Sequence, residues 1–352
     1  MIDFRYHLVS LVSVFLALAV GIVLGAGPLK DPISEGLSQS VQQLRQDRDA
    51  LNEQLKTAQA AARNRDTFVA AVEPQLVANR LGGRGVVLVT LPGYDTDAVR
   101  PLVQALLAGG ARVTGQVDVQ EAWVDPASRS ARDAAVTALR STAGTSASLP
   151  ATTTPGSSAS RSPSPSAAAT PSPGAGAGTA ADAAAAQVLA RALVTKEVSA
   201  SERPDETSRT LLDGLSRAGL VDVTGEAPGR ATQAVVLAPG VATALQGAIP
   251  SPSPSASPDL NPGWVTLAAV LDADSTGAVV VGPASSATNG GVLAAVRTQP
   301  LAATVSTVDT GGTPMGDITT VLALREQQLG SAGNYGFGEG ARAALPPVGT
   351  GS

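Results

Sequence analysis

The sequence predicts an α/β protein: an N-terminal transmembrane helix, a coiled-coil helix, then a mostly parallel sheet with helices on both faces. Three observations predict it. A charge-free apolar run fills residues 8–29, a regular heptad follows, and β-branched runs then alternate with helical stretches. Continuous apolar strands separated by helices indicate a parallel sheet covered on both sides.

The apolar run reads LVSLVSVFLALAVGIVLGAGPL, with no charge before Lys30. Roughly 20 such residues at about 1.5 Å each span the hydrocarbon core of a bilayer. Ser10 and Ser13 can bond back to the helix. A secretory signal is the alternative, but its apolar part is shorter, about 7–15 residues, and ends at a small-x-small cleavage site. Gly25-Ala26-Gly27 imitates such a site, and Pro28 just after it disfavours cutting. An uncleaved anchor at 8–29 is therefore expected. Arg5 and the amino terminus precede the span, whereas Lys30 and Asp31 cancel after it. The positive-inside bias then makes residues 1–7 a cytoplasmic tip of a single-pass membrane or envelope protein whose main domain is extracytoplasmic. Gly21-x-x-x-Gly25 has the spacing that lets two membrane helices approach closely, so Gly21 and Gly25 are candidates for helix association. His7 reads as a polar group at headgroup level.

Residues 33–78 form the expected stalk. Leu37, Val41, Leu44, Leu51, Leu55, Ala58, Ala62, Val69, Val72 and Leu76 fall on alternating three- and four-residue steps, with Arg48 and Arg65 in two seam positions. That is the pattern of a coiled coil, and it implies a homo-oligomer. The arginines weaken the seam and restrict register or partner number. The alternative is one long helix packed on its own domain. A continuous helix over 33–77 would reach on the order of 65–70 Å, with Pro74 and Gly82-Gly83 expected to end it.

An extracytoplasmic α/β domain is expected over 84–330. Gly85-Val86-Val87-Leu88-Val89-Thr90-Leu91 reads as a buried strand stopped by Pro92-Gly93. Asp95 or Thr96 can cap the next helix. Residues 112–119 alternate like a second strand. Ala234-Val235-Val236-Leu237-Ala238 before Pro239-Gly240, Ala278-Val279-Val280-Val281 before Gly282-Pro283, and 304–308 before Asp309 repeat the pattern. Helical stretches fall near 127–140, 182–194, 205–218, 263–271, 288–297 and 316–329. Parallel sheets bind ligands beyond the carboxyl ends of their strands. Tyr94, Asp95, Ser285, Ser286 and Asp309 stand there as a candidate ligand cleft, ordinary turn chemistry being the alternative. Two tracts of Ser, Thr, Ala, Pro and Gly, 141–181 and 249–259, cannot bury enough apolar surface to fold. They read as disordered insertions and as O-glycan acceptors in an external domain. Residues 331–352 read as a flexible tail.

Composition excludes several functions. With 24 basic and 29 acidic residues and a net charge of −5, there is no clustered positive charge for nucleic acid. Cysteine is absent, which removes disulfides and thiolate chemistry, and His7 is the single histidine, which removes a histidine base from the domain. Gly82-Gly83-Arg84-Gly85 precedes its strand and Gly336-x-Gly338-x-Gly340 lies in the tail, so neither forms a phosphate loop. Asp272-Ala273-Asp274 lacks the further ligands that a hard cation requires. No catalytic residue, resident cofactor or metal ligand set stands out, and a non-enzymatic protein is expected.

Several segments resemble the mycobacterial copper transport protein family MctB. They are the opening Met1-Ile2-Asp3-Phe4-Arg5-Tyr6-His7-Leu8-Val9-Ser10, Gly85-Val86-Val87-Leu88-Val89 with Pro92-Gly93, Ser306-Thr307-Val308-Asp309, and Val321-Leu322-Ala323-Leu324 with Gly330, Gly333 and Asn334-Tyr335-Gly336. The resemblance covers most of the chain outside the two Pro/Ser tracts. It implies copper efflux or homeostasis at the cell envelope. The residues add little to that: copper(I) prefers thiolate, thioether and imidazole, and besides His7 the chain offers only Met1 and Met315. Copper thus enters by resemblance alone. A coiled-coil-tethered structural or recruiting module, binding an envelope partner or small ligand, is the alternative.

Overall fold

The computed structural model describes residues 4–26, 31–142, 176–198, 205–225, 227–241 and 261–347. It divides into two compact units, Met1–Thr67 and Phe68–Ser352.

The first unit is helical. Helix α1, Phe4–Ala26, takes up the apolar run. Its segment Tyr6–Val23 is long and apolar enough to cross a membrane, and none of it is buried within the chain. Ser13 donates to the Val9 carbonyl at 2.8 Å, so its hydroxyl carries no unmet hydrogen bond. Helix α2, Asp31–Val77, is a single run of 47 residues, about 70 Å long at 1.5 Å per residue. Along it Val41, Leu44, Leu51 and Leu55 are exposed. The helix ends at Val77 as expected, with Pro74 inside its last turn. The Ala78 N–H closes on the Pro74 carbonyl, and the chain then turns through Asn79 and Gly82, both at positive φ.

The second unit begins with the last turns of α2 and holds a seven-stranded sheet. Its strands are β1 Gly85–Thr90, β2 Arg112–Val119, β3 Val221–Thr224, β4 Gln233–Leu237, β5 Ala278–Val281, β6 Ser306–Val308 and β7 Asn334–Tyr335, in the order β3-β2-β1-β4-β5-β6-β7. Every pairing is parallel except β2 with β3. The connecting helices are α3 Val99–Ala108, α4 Arg129–Thr142, α5 Gly176–Leu193, α6 Glu206–Arg217, α7 Asn261–Ala273, α8 Val292–Thr298 and α9 Pro314–Gln328.

The two layers explain why the central strands are so apolar. Val87 and Val89 of β1 face a layer containing Val136, Leu189, Leu212, Leu267 and Leu293, from α4 to α8. Val86 and Leu88 face the other layer, containing Val77 of α2, Leu102 of α3 and Val321 of α9. Buried on both sides, β1, β4 and β5 have no position for a polar–apolar alternation. Strand β2 lies nearer the edge, so its alternation survives: Val117 and Val119 are buried, while Arg112 is exposed and Gln116 and Asp118 are half-buried. This is the α/β sheet the sequence predicts, with β3 and β7 added at its edges.

Three boundaries are corrected. Helix α4 runs to Thr142 and α5 starts at Gly176, both inside the tract expected as an insertion over 141–181. The remainder, 143–175, lies outside the described residues, as does the tract at 249–259. Residues 331–352, expected as a tail, supply β7 with its buried Tyr335. The physical reason is that this segment docks through its backbone on a buried carboxylate, a mode that leaves no apolar period in the sequence.

Candidate functional site

The carboxyl ends of the strands carry the candidate site. After β1 the Leu91 N–H donates to the Leu237 carbonyl at 2.9 Å, and Gly93 turns the chain at φ +82. A Cβ on Gly93 would lie 3.6 Å from Pro239, so the loops after β1 and β4 are in contact. Beyond them the Gly282 N–H donates to the Val308 carbonyl and the Gly311 N–H to the Gly282 carbonyl. The edge over β4, β5 and β6 is thus closed by glycine-to-backbone packing.

The opening is elsewhere, over the ends of β1 and β2. A hollow of about 560 Å³ is bounded there by Thr90, Tyr94, Thr96, Asp118, Gln120 and Glu121, among others. Asp118 is held in place: its Oδ1 accepts from Gln116 Nε2 at 2.8 Å and its Oδ2 from Thr224 Oγ1 at 2.9 Å. The Thr90 hydroxyl is buried without a hydrogen-bond partner. Hydroxyls, one amide and two carboxylates, with no basic side chain on the wall, disfavour an anion. The wall suits a small neutral polar molecule or a cation.

Behind this wall lies an acidic pocket of the core. Burial pushes the Tyr94 phenol up to about 12, with Asp317 and Asp95 adding to it. Burial likewise pushes Asp317 up to about 7, helped by Glu73 near the end of α2. Glu73 is itself raised by burial. A carboxyl removed from water without a cation holds its proton more tightly, which is the direction of the shift at Asp317 and Glu73.

The expected cleft residues do not converge. Tyr94 borders the hollow. Asp95 accepts the Asp97 N–H at 3.0 Å and caps the short turn Thr96–Ala98. Ser285 abuts the loop after β4, where a Cβ on Gly240 would meet its Oγ at 2.4 Å. Ser286 is fully buried and its Oγ accepts the Leu293 N–H at the start of α8. Asp309 is taken up by a different cluster. Its Oδ2 pairs with Arg297 Nη2 of α8 at 2.9 Å and accepts the Gly338 N–H, while its Oδ1 accepts the Phe337 N–H. These three hydrogen bonds tie Asp309 to α8 and to the backbone at 337 and 338, so it acts as a lock for that late segment. Gly21 and Gly25 lie on α1, where an added Cβ would meet nothing within 4 Å.

Nothing in the sequence marks Thr90, Gln120 or Glu121 as site residues; the one signal is the alternation of β2, which places Asp118 near its carboxyl end. Among the described residues no group of three or more His, Cys, Asp or Glu side chains could hold a metal ion.

The family described as copper transport outer membrane protein, MctB, matches residues 1–162 and 164–346. The copper transporter MctB of Mycobacterium tuberculosis is 28% identical over 352 residues, covering 97% of this chain and 98% of that protein. The protein of the same name from Mycobacterium bovis gives the same figures. That of Mycobacterium leprae is 28% identical over 354 residues, covering 99% of this chain and 100% of its own length.

Proposed function

The chain belongs to the MctB family of copper transport outer membrane proteins, and from that premise we propose that it serves copper efflux and copper homeostasis at the cell envelope. In this reading α1 is a single-pass anchor with residues 1–7 in the cytoplasm. The α/β domain is extracytoplasmic, and copies associate through the seam of α2. The observation that carries it is the family match along nearly the whole chain, coupled to one helix fit to cross a membrane. Family and helix together fit a membrane-associated protein.

In this reading the role is transport and the protein is not itself a tight copper chelator. Support for the second point comes from the side chains: no cysteine, one histidine at the start of α1, and two methionines, Met1 and Met315. Soft copper(I) would find no cluster of thiolate, thioether and imidazole donors. Copper here is cargo of the system and not a resident ligand.

The second reading is a coiled-coil-tethered module that binds an envelope partner or small ligand. The hollow over β1 and β2 favours it, because its walls carry hydroxyls and carboxylates but none of the soft donors. A deletion strain separates the two. Copper sensitivity with raised cellular copper, reversed by the intact gene, supports the copper role. Unchanged copper tolerance with a defective envelope overturns it in favour of the tethered module.

A further inference from the structure

We infer that α2 pairs with α2 of a second copy as a parallel, in-register, two-stranded coil, and that the two arginines in its seam set the register by binding aspartates of the partner copy. The inference rests on the proposed association through α2 and deepens it.

The occupant of the seam follows from three observations. First, Val41, Leu44, Leu51 and Leu55 are exposed on one stripe of a continuous helix. Lower on the same helix Val69 and Val77 pack into the domain core. The free part of the stripe therefore ends near Arg65. Leu44 and Leu51 at d and Val41 at a match the two-stranded preference, while Leu55 at an a position is neutral to it.

Second, the two polar interruptions are charge-matched to a second copy. Arg48 occupies an a position and Asp47 the g position just before it. Arg65 occupies a d position and Asp66 the e position just after it. In a parallel two-stranded coil, an a residue packs beside the preceding g residue of the facing helix, and a d residue beside the following e residue. In register, Arg48 of each copy therefore meets Asp47 of the other, and Arg65 meets Asp66. A shift by one heptad removes both pairings. Arg48 now holds Asp49 at 2.7 Å and Arg65 holds Asp66 at 3.7 Å, with both arginine side chains more than half exposed, so each is free to turn to the facing helix.

Third, α1 supplies the direction. Copies whose preceding helices enter the same membrane from the same side present their α2 helices parallel.

The absence of cysteine makes a direct test possible. Full-length protein in detergent is prepared as Leu51→Cys, at a seam d position, and as Gln46→Cys, on the outer face of the same helix. On mild oxidation Leu51→Cys should form a disulfide-linked pair and Gln46→Cys should not. Sedimentation of the unmodified chain should give the mass of two copies. Asp47→Arg alone and Arg48→Asp alone should each weaken pairing on the order of tenfold. Asp47→Arg combined with Arg48→Asp should recover it. A monomer by sedimentation overturns the association itself. Two copies without a Leu51→Cys disulfide, three or more copies, or no recovery in the exchanged double variant overturns the parallel paired register while leaving association standing.

Discussion

The Asp309 carboxylate meets the Arg297 guanidinium at 2.9 Å, with side chains only 1% and 3% exposed. The guanidinium also donates to Thr307 and to the carbonyls of Tyr335 and Glu339. Strand β6, helix α8 and the segment after β7 therefore converge on one ion pair. Removing one partner strands the other charge away from water, a loss of about 3–5 kcal/mol. Asp309→Ala should lower the denaturation midpoint accordingly and open the chain near residues 331–343 to limited proteolysis. Arg297→Met combined with Asp309→Leu should be less damaging than Asp309→Ala alone. Equal loss in both would show that the pairing is not what matters.

Gly336 covers this ion pair so closely that a Cβ would lie 1.8 Å from Asp309 Oδ1, at a φ of +121. Gly330 also has a positive φ, +80, closer to the left-handed helical region, and open space around it. Gly336→Ala should therefore destabilise by about 1–3 kcal/mol more than Gly330→Ala. Matched denaturation curves of the two variants read this difference directly.

Asp317 gives a pH dependence. Its carboxyl is raised from 3.8 to about 7 in the folded protein. Between those values the folded state keeps a proton that the unfolded chain has released. Stability should consequently fall as pH rises from about 4 to about 7 and level off above, by at most about 4 kcal/mol. Asp317→Asn, which is neutral throughout, should remove the slope in a pH series of denaturation midpoints. An unchanged slope would place the titrating group elsewhere, with Glu73 the first to examine.

Copper(I) added to purified full-length protein under reducing, anaerobic conditions should not bind tightly or stoichiometrically. Equilibrium dialysis measures this. One tight equivalent per chain would overturn the reading of copper as cargo.

The centre of the sheet could be read from residues such as Val86–Val89 and Val279–Val281 because burial on both faces demands uninterrupted apolar side chains. The edges could not. Strand β3 has only four residues, with Asp222 exposed, and β7 has two. Neither is long enough to carry a period. Asp309 stood out as a polar residue at a strand end, but its partner Arg297 and the glycines at 336 and 338 come from distant segments that only the fold brings together. The hollow leaves no mark in the sequence for a related reason: Thr90 and Glu121 are ordinary singly, and their proximity depends on β1 and β2 lying side by side.

The lock around Asp309 also bears on how the protein is made. Arg297 and Asp309 are synthesised well before Phe337 and Gly338, whose N–H groups complete the shell around the carboxylate. Until that late stretch has left the ribosome, the carboxylate lacks these two donors and β6 lacks its neighbour β7. A chain truncated shortly before residue 334 would therefore be handed to quality control with an open sheet edge, however complete its earlier strands.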